Sequence, residues 1–331
     1  MAKTKHRVLS KSQTTITLEP PLNSSCSVPV SILSSIVLND SIETTLKPEK
    51  QQIKILPRKN LLTRSEKVEK KIVANLDHLF LVVTNFPSFN LMNSAKMAIR
   101  ARNENIPFTV IINKVDHSNV NESFKKKVKA LVPFDVCGET KDSKKFKVVQ
   151  VSLHDDTLMH NLSSKIREIA LTSENSEVSI CLIGQSGVGK SSLINKLIPS
   201  ASQKTGKVST RYKKGRHTTR ESRSFEFKIC GDNKKKVFII DTPGIDSFGL
   251  ESLRCHELAK YFSEWEEINQ QNFFCKFKDC RHDCEPGCGV QNFLINLKND
   301  SENFEHLYRR LMLWRKLMFT INKKNVENNR S

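Results

Sequence analysis

From about residue 73 the apolar positions of this chain fall into a regular α/β rhythm. Residues 77–84 (DHLFLVVT) are a continuous apolar run, the pattern of a strand buried on both faces. Residues 92–103 follow with helical spacing, 108–112 (FTVII) with another strand, and 120–131 with a second helix. Strand 147–151, helix 157–171, strand 178–183, a helix opening at 191–198 and strand 237–240 continue the alternation. Strands alternating with helices predict a mostly parallel, doubly wound sheet.

The ends of the chain read differently. All eleven glycines lie at Gly138 or later, so the first 137 residues have none. Short β-leaning pieces at 14–18, 28–38 and 53–56 are separated by Pro20-Pro21, Asn39-Asp40 and Pro48, which suits a small barrel. The missing glycine argues against well-formed corners and bulges in it. Residues 57–72 (PRKNLLTRSEKVEKKI) read as a basic, polar linker. Beyond the glycine at 244, residues 250–268 are amphipathic, a cysteine cluster follows, and 302–321 read as a basic helix.

Two motifs carry the chemistry, and their order is unusual. Gly184-Gln185-Ser186-Gly187-Val188-Gly189-Lys190-Ser191 fits the phosphate-binding pattern GxxxxGK[ST], between a strand and a helix as that loop requires. Its glycines let backbone N–H groups turn toward phosphate oxygens; Lys190 can reach the β- and γ-phosphates, and Ser191 can ligate Mg²⁺. Ser192 and the helix behind it direct amides and dipole at the anion. Asp241-Thr242-Pro243-Gly244, ending an apolar strand, fits DxxG: Asp241 holds Mg²⁺ through water and the Gly244 amide senses the γ-phosphate. Asn113-Lys114-Val115-Asp116 fits NKxD, in which the Asp116 carboxylate accepts the N1 and N2 hydrogens of guanine. Adenine offers neither, and a buried charged acceptor left unmatched costs at least about 1–3 kcal/mol. Ser152 ends the next strand, placed for a last guanine-contacting loop in which Leu153 stands for a small residue. In an ordinary GTPase NKxD follows the P-loop; here it precedes it.

Between the P-loop and DxxG, residues 204–220 (KTGKVSTRYKKGRHTTR) hold seven Lys or Arg and no carboxylate. This is where a switch loop supplies a threonine to Mg²⁺, with Thr219 the first choice and Thr218 the second. Many GTPases orient the attacking water with Gln after DxxG, but Ile245 stands there; His217 is the nearest substitute, and holding the loop or touching RNA is its other reading.

Composition narrows the setting. At 331 residues the chain is long enough for two or three domains, and its 37% hydrophobic content, low for one large core, suggests exposed or loosely ordered parts. The formal charge of +19, with 54 Lys and Arg against 35 Asp and Glu, favours a polyanionic partner, most simply nucleic acid. No stretch approaches the roughly 18–20 apolar residues of a membrane span. The opening residues lack an apolar signal core, which argues against secretion, while their basic Ser/Thr-containing character also suits a short organelle-targeting role. A reducing compartment follows, and in one a cysteine cluster reads as metal before disulfide. Cys275, Cys280, His282 and Cys288 supply a Cys₃His set for one structural Zn²⁺, with Cys284 able to replace His282 or a cysteine.

With these residues in place, the chain from about 55 to 311 resembles ribosome-small-subunit-dependent GTPase A, a circularly permuted ribosome-biogenesis GTPase. LPRKNLLTR, ANLDHLFLVV, NKVD, GQSGVGKSSLINKL, GRHTTR, DTPGIDSFGL and CKFKDCRHDCEPGCGV carry the likeness. It implies an OB-like β domain over 1–62, a permuted GTPase domain over 63–250 and a zinc-binding helical domain over 251–331. It implies GTP and GDP with Mg²⁺ as ligands, and the small ribosomal subunit with its rRNA as partner, during late maturation. It implies hydrolysis stimulated by that subunit, a monomer with no membrane association, and a cytoplasmic setting or an organelle matrix such as a plastid's. Two rivals differ in class: a P-loop enzyme phosphorylating a small molecule, and a zinc-bearing RNA-binding protein that holds nucleotide without turnover.

Overall fold

The computed structural model describes residues 3–12, 15–19, 25–27, 30–45, 52–65, 69–86, 88–116, 120–134, 148–201, 222–229, 235–243 and 255–328. At the N-terminus lie β1 (Lys3–Lys11), β2 (Thr15–Leu18), β3 (Ser25–Ser27), the single turn α1 (Val30–Leu33), β4 (Ser41–Thr45) and β5 (Gln52–Ile55). All pair antiparallel in the order β3-β2-β1-β4-β5 around Val8, Ile16, Leu18, Leu33, Ile36 and Ile42. That order is the one a five-stranded, partly open OB-type barrel needs, and among the described residues β3 and β5 do not pair.

Two expectations are corrected here. The described part of 28–38, residues 30–38, is not a strand: Val30–Leu33 is helical, and Leu38 makes only an isolated bridge to Val73. Residues 57–72 are not a linker, because β6 (Leu61–Ser65) and β7 (Glu69–Ala74) form an antiparallel hairpin. Leu62 and Val73 are fully buried beneath its basic face, so a few apolar side chains decide where charge counting pointed to loop.

The α/β rhythm then unfolds as β8 (His78–Val83), α2 (Leu91–Asn103), β9 (Phe108–Asn113), α3 (Glu122–Lys129), β10 (Val148–Val151), α4 (Asp156–Thr172), β11 (Glu177–Ile183), α5 (Lys190–Leu197), β12 (Arg223–Phe227) and β13 (Lys236–Asp241). The spatial order is β10-β9-β8-β11-β13-β12, parallel except for β12, which runs antiparallel to β13 and on its other side meets β1 of the N-terminal strands. The P-loop strand β11 is therefore central, with strands that precede it in sequence on one side and strands that follow it on the other. Alternate side chains of β8 face opposite layers: Leu79, Leu81 and Val83 join the core beneath α2 and α3, while Phe80 and Val82 join the core beneath α4 and α5.

The C-terminal helices are α6 (Cys255–Tyr261), α7 (Glu264–Gln270), α8 (Gly289–Asn296) and α9 (Ser301–Asn328). The amphipathic run over 250–268 is thus two helices rather than one. Phe262, at the break, is packed among the rings of Tyr261, Trp265 and Trp314. Leu258, Tyr261, Trp265, Leu307, Leu311 and Leu317 belong to the same core as α2 and α3, so this unit is built onto the sheet layer. No helix among the described residues is long and apolar enough to cross a membrane.

Candidate nucleotide and metal sites

The carboxyl ends of neighbouring parallel strands are where an open α/β sheet holds ligands. β9, β11 and β13 end there in Asn113, Ile183 and Asp241. The P-loop leaves β11 and enters α5 through Gly187 (φ +80°) and Gly189 (φ +96°). A Cβ at Gly189 would lie 2.4 Å from Asn113 Nδ2, and one at Gly184 would lie 2.3 Å from the Val82 carbonyl. These two positions need glycine because other backbone and the guanine motif pass directly behind them.

Asn113, fully buried, donates from Nδ2 to the Val188 carbonyl (2.8 Å) and accepts from the Lys114 N–H (2.8 Å). Lys114 stands at φ +60° and donates from Nζ to the Gly187 carbonyl (2.9 Å) and the Phe86 carbonyl (3.2 Å). Burial lowers its pKa, and the Asp116 carboxylate partly offsets that. NKxD and the P-loop, 73 residues apart in sequence at Lys114 and Gly187, are in this way hydrogen-bonded into one wall. Asp116 is exposed at its rim. Ser152 is buried, its Oγ accepting the His154 N–H (3.1 Å), and Leu153 packs on the core beneath α4 and α5.

At the phosphate end, the nearly buried Lys190 ammonium donates to the Gly184 (2.9 Å) and Gln185 (3.1 Å) carbonyls. Ser191 Oγ donates to Asp241 Oδ2 at 2.8 Å, with Asp241 fully buried. Thr242 Oγ1 donates to the Leu182 carbonyl (2.8 Å), tying the start of DxxG to the P-loop strand. A hydroxyl and a carboxylate in contact at a strand end are a suitable donor pair for Mg²⁺. Gly244, His217, Thr218 and Thr219 lie outside the described residues. The Phe86 carbonyl and the Thr242 hydroxyl had no signal in the sequence: one is backbone, the other the unfixed position of its motif.

In the C-terminal unit, one ligand atom each from Cys275, Cys280, His282 and Cys288 lies within 4.8 Å of the others. His282 Nδ1 is 3.6 Å from Cys275 Sγ and 3.5 Å from Cys288 Sγ. Zn–S bonds of about 2.3 Å and Zn–N bonds of about 2.0–2.1 Å in a tetrahedron give S···N edges of about 3.5–3.6 Å, so the donor set fits zinc. Cys284 is exposed and is not among the four. Burial lowers the His282 pKa to about 4, leaving the neutral imidazole that a metal requires. The loop is clamped by α9, where Trp314 Nε1 donates to the Arg281 carbonyl (2.8 Å) and Arg315 Nη2 to the His282 carbonyl (2.7 Å).

The comparisons with known proteins agree with this geometry. Residues 55–251 match the RsgA GTPase family. A small ribosomal subunit biogenesis GTPase RsgA of Borreliella burgdorferi (strain ZS7) is 35% identical over 249 residues, covering 73% of this chain and 71% of that protein. The chain belongs to the RsgA GTPase family. An RsgA of Histophilus somni is 29% identical over 287 residues, covering 84% of this chain and 74% of the relative. Among solved structures, YjeQ from Thermotoga maritima superposes with a TM-score of 0.59 at 24% identity, over 94% of this chain and 99% of that one. YloQ, described as a circularly permuted GTPase, superposes at 0.55 with 17% identity over 95% of this chain. As an RsgA GTPase, the protein is a GTP hydrolase, and the strand order above is the permuted fold of its family.

Proposed function

We propose that this GTPase acts in late maturation of the small ribosomal subunit, binding the subunit's rRNA, hydrolysing GTP there at a rate the subunit raises, and leaving after hydrolysis. The relatives' names carry the subunit. The observation that supports the guanine site is the buried Asn113–Val188 hydrogen bond with its Lys114–Gly187 companion, which joins base and phosphate loops in one rigid wall. Asn113 ties the loop, Lys114 covers the base and sugar, Asp116 pairs with guanine, and Ser152 borders the base. The amides of Gly184 to Ser192 surround the phosphates, and Lys190 exchanges its two carbonyl partners for phosphate oxygens. Ser191, Asp241 and Thr219 hold Mg²⁺, with Thr218 beside them, and Gly244 senses the γ-phosphate. His217 positions water once the partner orders the switch. Cys275, Cys280, His282 and Cys288 hold one zinc, and the charge of +19 serves rRNA contact. The protein works as a monomer in the cytoplasm or an organelle matrix. We place its domains at 1–62, 63–250 and 251–331; only 245–250 separate Gly244 from the helical unit, so lengthening 247–250 should spare GTP binding and uncouple it from ribosome affinity.

GTP turnover measured with and without purified small subunits tests this reading. Acceleration by the subunit is expected, and it should weaken steeply with salt. Equal rates would remove the checkpoint role. Normal subunit-stimulated turnover by His217→Ala would remove His217 from the chemistry.

A further inference from the structure

The turn that ends α3 offers its carbonyls to the C-terminal unit, and each is taken. His306 Nε2 lies 3.1 Å from the Lys129 carbonyl and 3.2 Å from that of Val132. Arg310 Nη1 donates to the Ala130 carbonyl (3.1 Å), and Tyr261 Oη donates to that of Leu131 (2.7 Å). Four consecutive carbonyls at a helix C-terminus, where negative dipole charge gathers, are thus capped by side chains from another part of the fold, the Lys129 carbonyl accepting the Val132 N–H (3.0 Å) as well.

The one charged cap, Arg310, is buried and paired. Arg310 and Glu264 are both fully buried and paired by two hydrogen bonds (2.5 and 3.0 Å). The guanidinium lies against the Tyr261 and Phe262 rings, with its Cζ 4.6 and 4.1 Å from their centroids. Burial, with Arg310 and Lys129 nearby, lowers the His306 pKa to about 4, so the ring is neutral. Facing two acceptors, its Nε2 carries the proton. Outside this centre, Lys126 and Lys129 reach Glu305 and Glu302 of α9.

At its other end α3 bears on the guanine motif. Its N-cap Asn121 lies five residues beyond Asp116, and Val115, Val120 and the buried Phe124 share one core. Phe124 stacks edge-on against Phe89 (5.3 Å), which lies three residues beyond Phe86, the carbonyl partner of Lys114. The P-loop holds the near side of NKxD through Asn113, while on the far side Val115, next to Asp116, shares a core with Phe124 of α3.

We propose that Tyr261, His306 and Arg310 are positioning residues for guanine recognition: by holding the turn at 129–132 they set α3, and α3 sets Asp116 against the base. The helical unit is thereby coupled to the nucleotide at the base end of the site, independently of the connection through Gly244. The proposal rests on the reading of Asn113–Asp116 as the guanine contact.

The test is steady-state GTP turnover with ATP as competitor, on the full chain. Tyr261→Phe removes one donor and keeps the ring; combined with His306→Ala it removes three of the four carbonyl contacts. The double variant should raise KM for GTP about threefold to tenfold and lower the preference for GTP over ATP by the same factor, with kcat unchanged. Replacing His306 by Gln instead, which keeps an N–H at similar reach, should restore most of both. Glu264→Met with Arg310→Met, which removes the buried charges together, should reproduce the rise in KM. Asp116→Ala, run alongside, should abolish the base preference. If it does so while Tyr261→Phe/His306→Ala leaves KM and preference unchanged, or if Gln rescues nothing, the positioning role is overturned. If Asp116→Ala leaves the preference intact, the guanine reading falls and the proposal with it.

Discussion

The nucleotide site and the metal loop are ordered by opposite means. The P-loop and NKxD hang from β9 and β11, strands buried along nearly their whole length, and their side chains hold a backbone that the sheet already places. The metal loop has less such support: Phe273 packs on Phe293, but Phe274 is 65% exposed and Phe277 42%, so two of its three phenylalanines face outward. What it has instead is four ligand atoms, Glu285 accepting the Arg281 and Asp283 N–H groups, and the clamp from α9. In the first region packing precedes the ligand; in the second the ligand replaces packing.

Cys288→Ser should therefore divide the two regions, and with the largest effect. Structural zinc contributes apparent binding free energies of about 10–16 kcal/mol in isolated fingers at neutral pH. Metal content should fall from one per chain to near zero, and limited proteolysis should open 272–288. GTP affinity should stay within about tenfold, because the sheet and α9's apolar contacts to it persist. Loss of nucleotide binding together with the metal would show one cooperative unit and break the comparison.

Acid should act on the sheet and on its joint with α9. Burial lowers the pKa of His78 to about 3 and of His306 to about 4, against an ordinary value of 6.5. Between those values the unfolded chain binds more protons than the folded one, so stability present above pH 6.5 is lost as pH falls toward 4. From pH 6.5 to 5 the loss is about 1.5 kcal/mol per histidine, about 3 kcal/mol for the pair. Denaturant melts of zinc-loaded protein across this range check it, and His306→Gln should remove about half the slope.

The same comparison explains what was legible in the sequence. The strands HLFLVV, FTVIIN and EVSICLI were legible because burial on both faces writes a continuous apolar run. The strands β1 (KTKHRVLSK) and β12 (RSFEF) were not: both are polar and take their place by pairing on both sides, β1 with β4 and β2, and β12 with β13 and the distant β1. The hairpin β6–β7 hid behind its lysines. The P-loop and NKxD motifs and the Cys₃His cluster were legible as patterns because chemistry fixes their spacing. The capping of 129–132 had no such signature, since backbone carbonyls carry no residue code and Tyr261, His306 and Arg310 each fit an ordinary amphipathic helix.

Matched glycines in the two regions give a smaller, sharper test. Gly189 and Gly287 both have positive φ, +96° and +76°. Alanine at either meets backbone strain of about 1–2 kcal/mol. At 189 its Cβ also meets Asn113 Nδ2 at 2.4 Å, whereas at 287 the nearest atom is Lys276 Cβ at 3.2 Å. Gly189→Ala should push NKxD away from the P-loop and weaken GTP binding at least tenfold. Gly287→Ala should cost only the strain, seen as a slightly lower melting temperature with full metal content. Equal effects on GTP binding would show that the 113–188 contact is incidental.

Cys284→Ser carries the smallest expected effect and settles the ligand set. Cys284 is exposed, while Cys275 and Cys288 both place Sγ within 3.6 Å of His282 Nδ1. A thiol outside a closed tetrahedron adds nothing to it, and a conservative surface change is worth within about 0.5 kcal/mol. Metal content and melting temperature should match the parent protein, whereas His282→Ala should lower both. The contrast depends on geometry, because Cys284, four residues from both Cys280 and Cys288, has a spacing that metal ligands use. If Cys284→Ser loses metal and His282→Ala keeps it, the site is Cys₄, His282 is a neighbour held by Trp265 and Trp314, and the loop's order comes from a different set of four atoms.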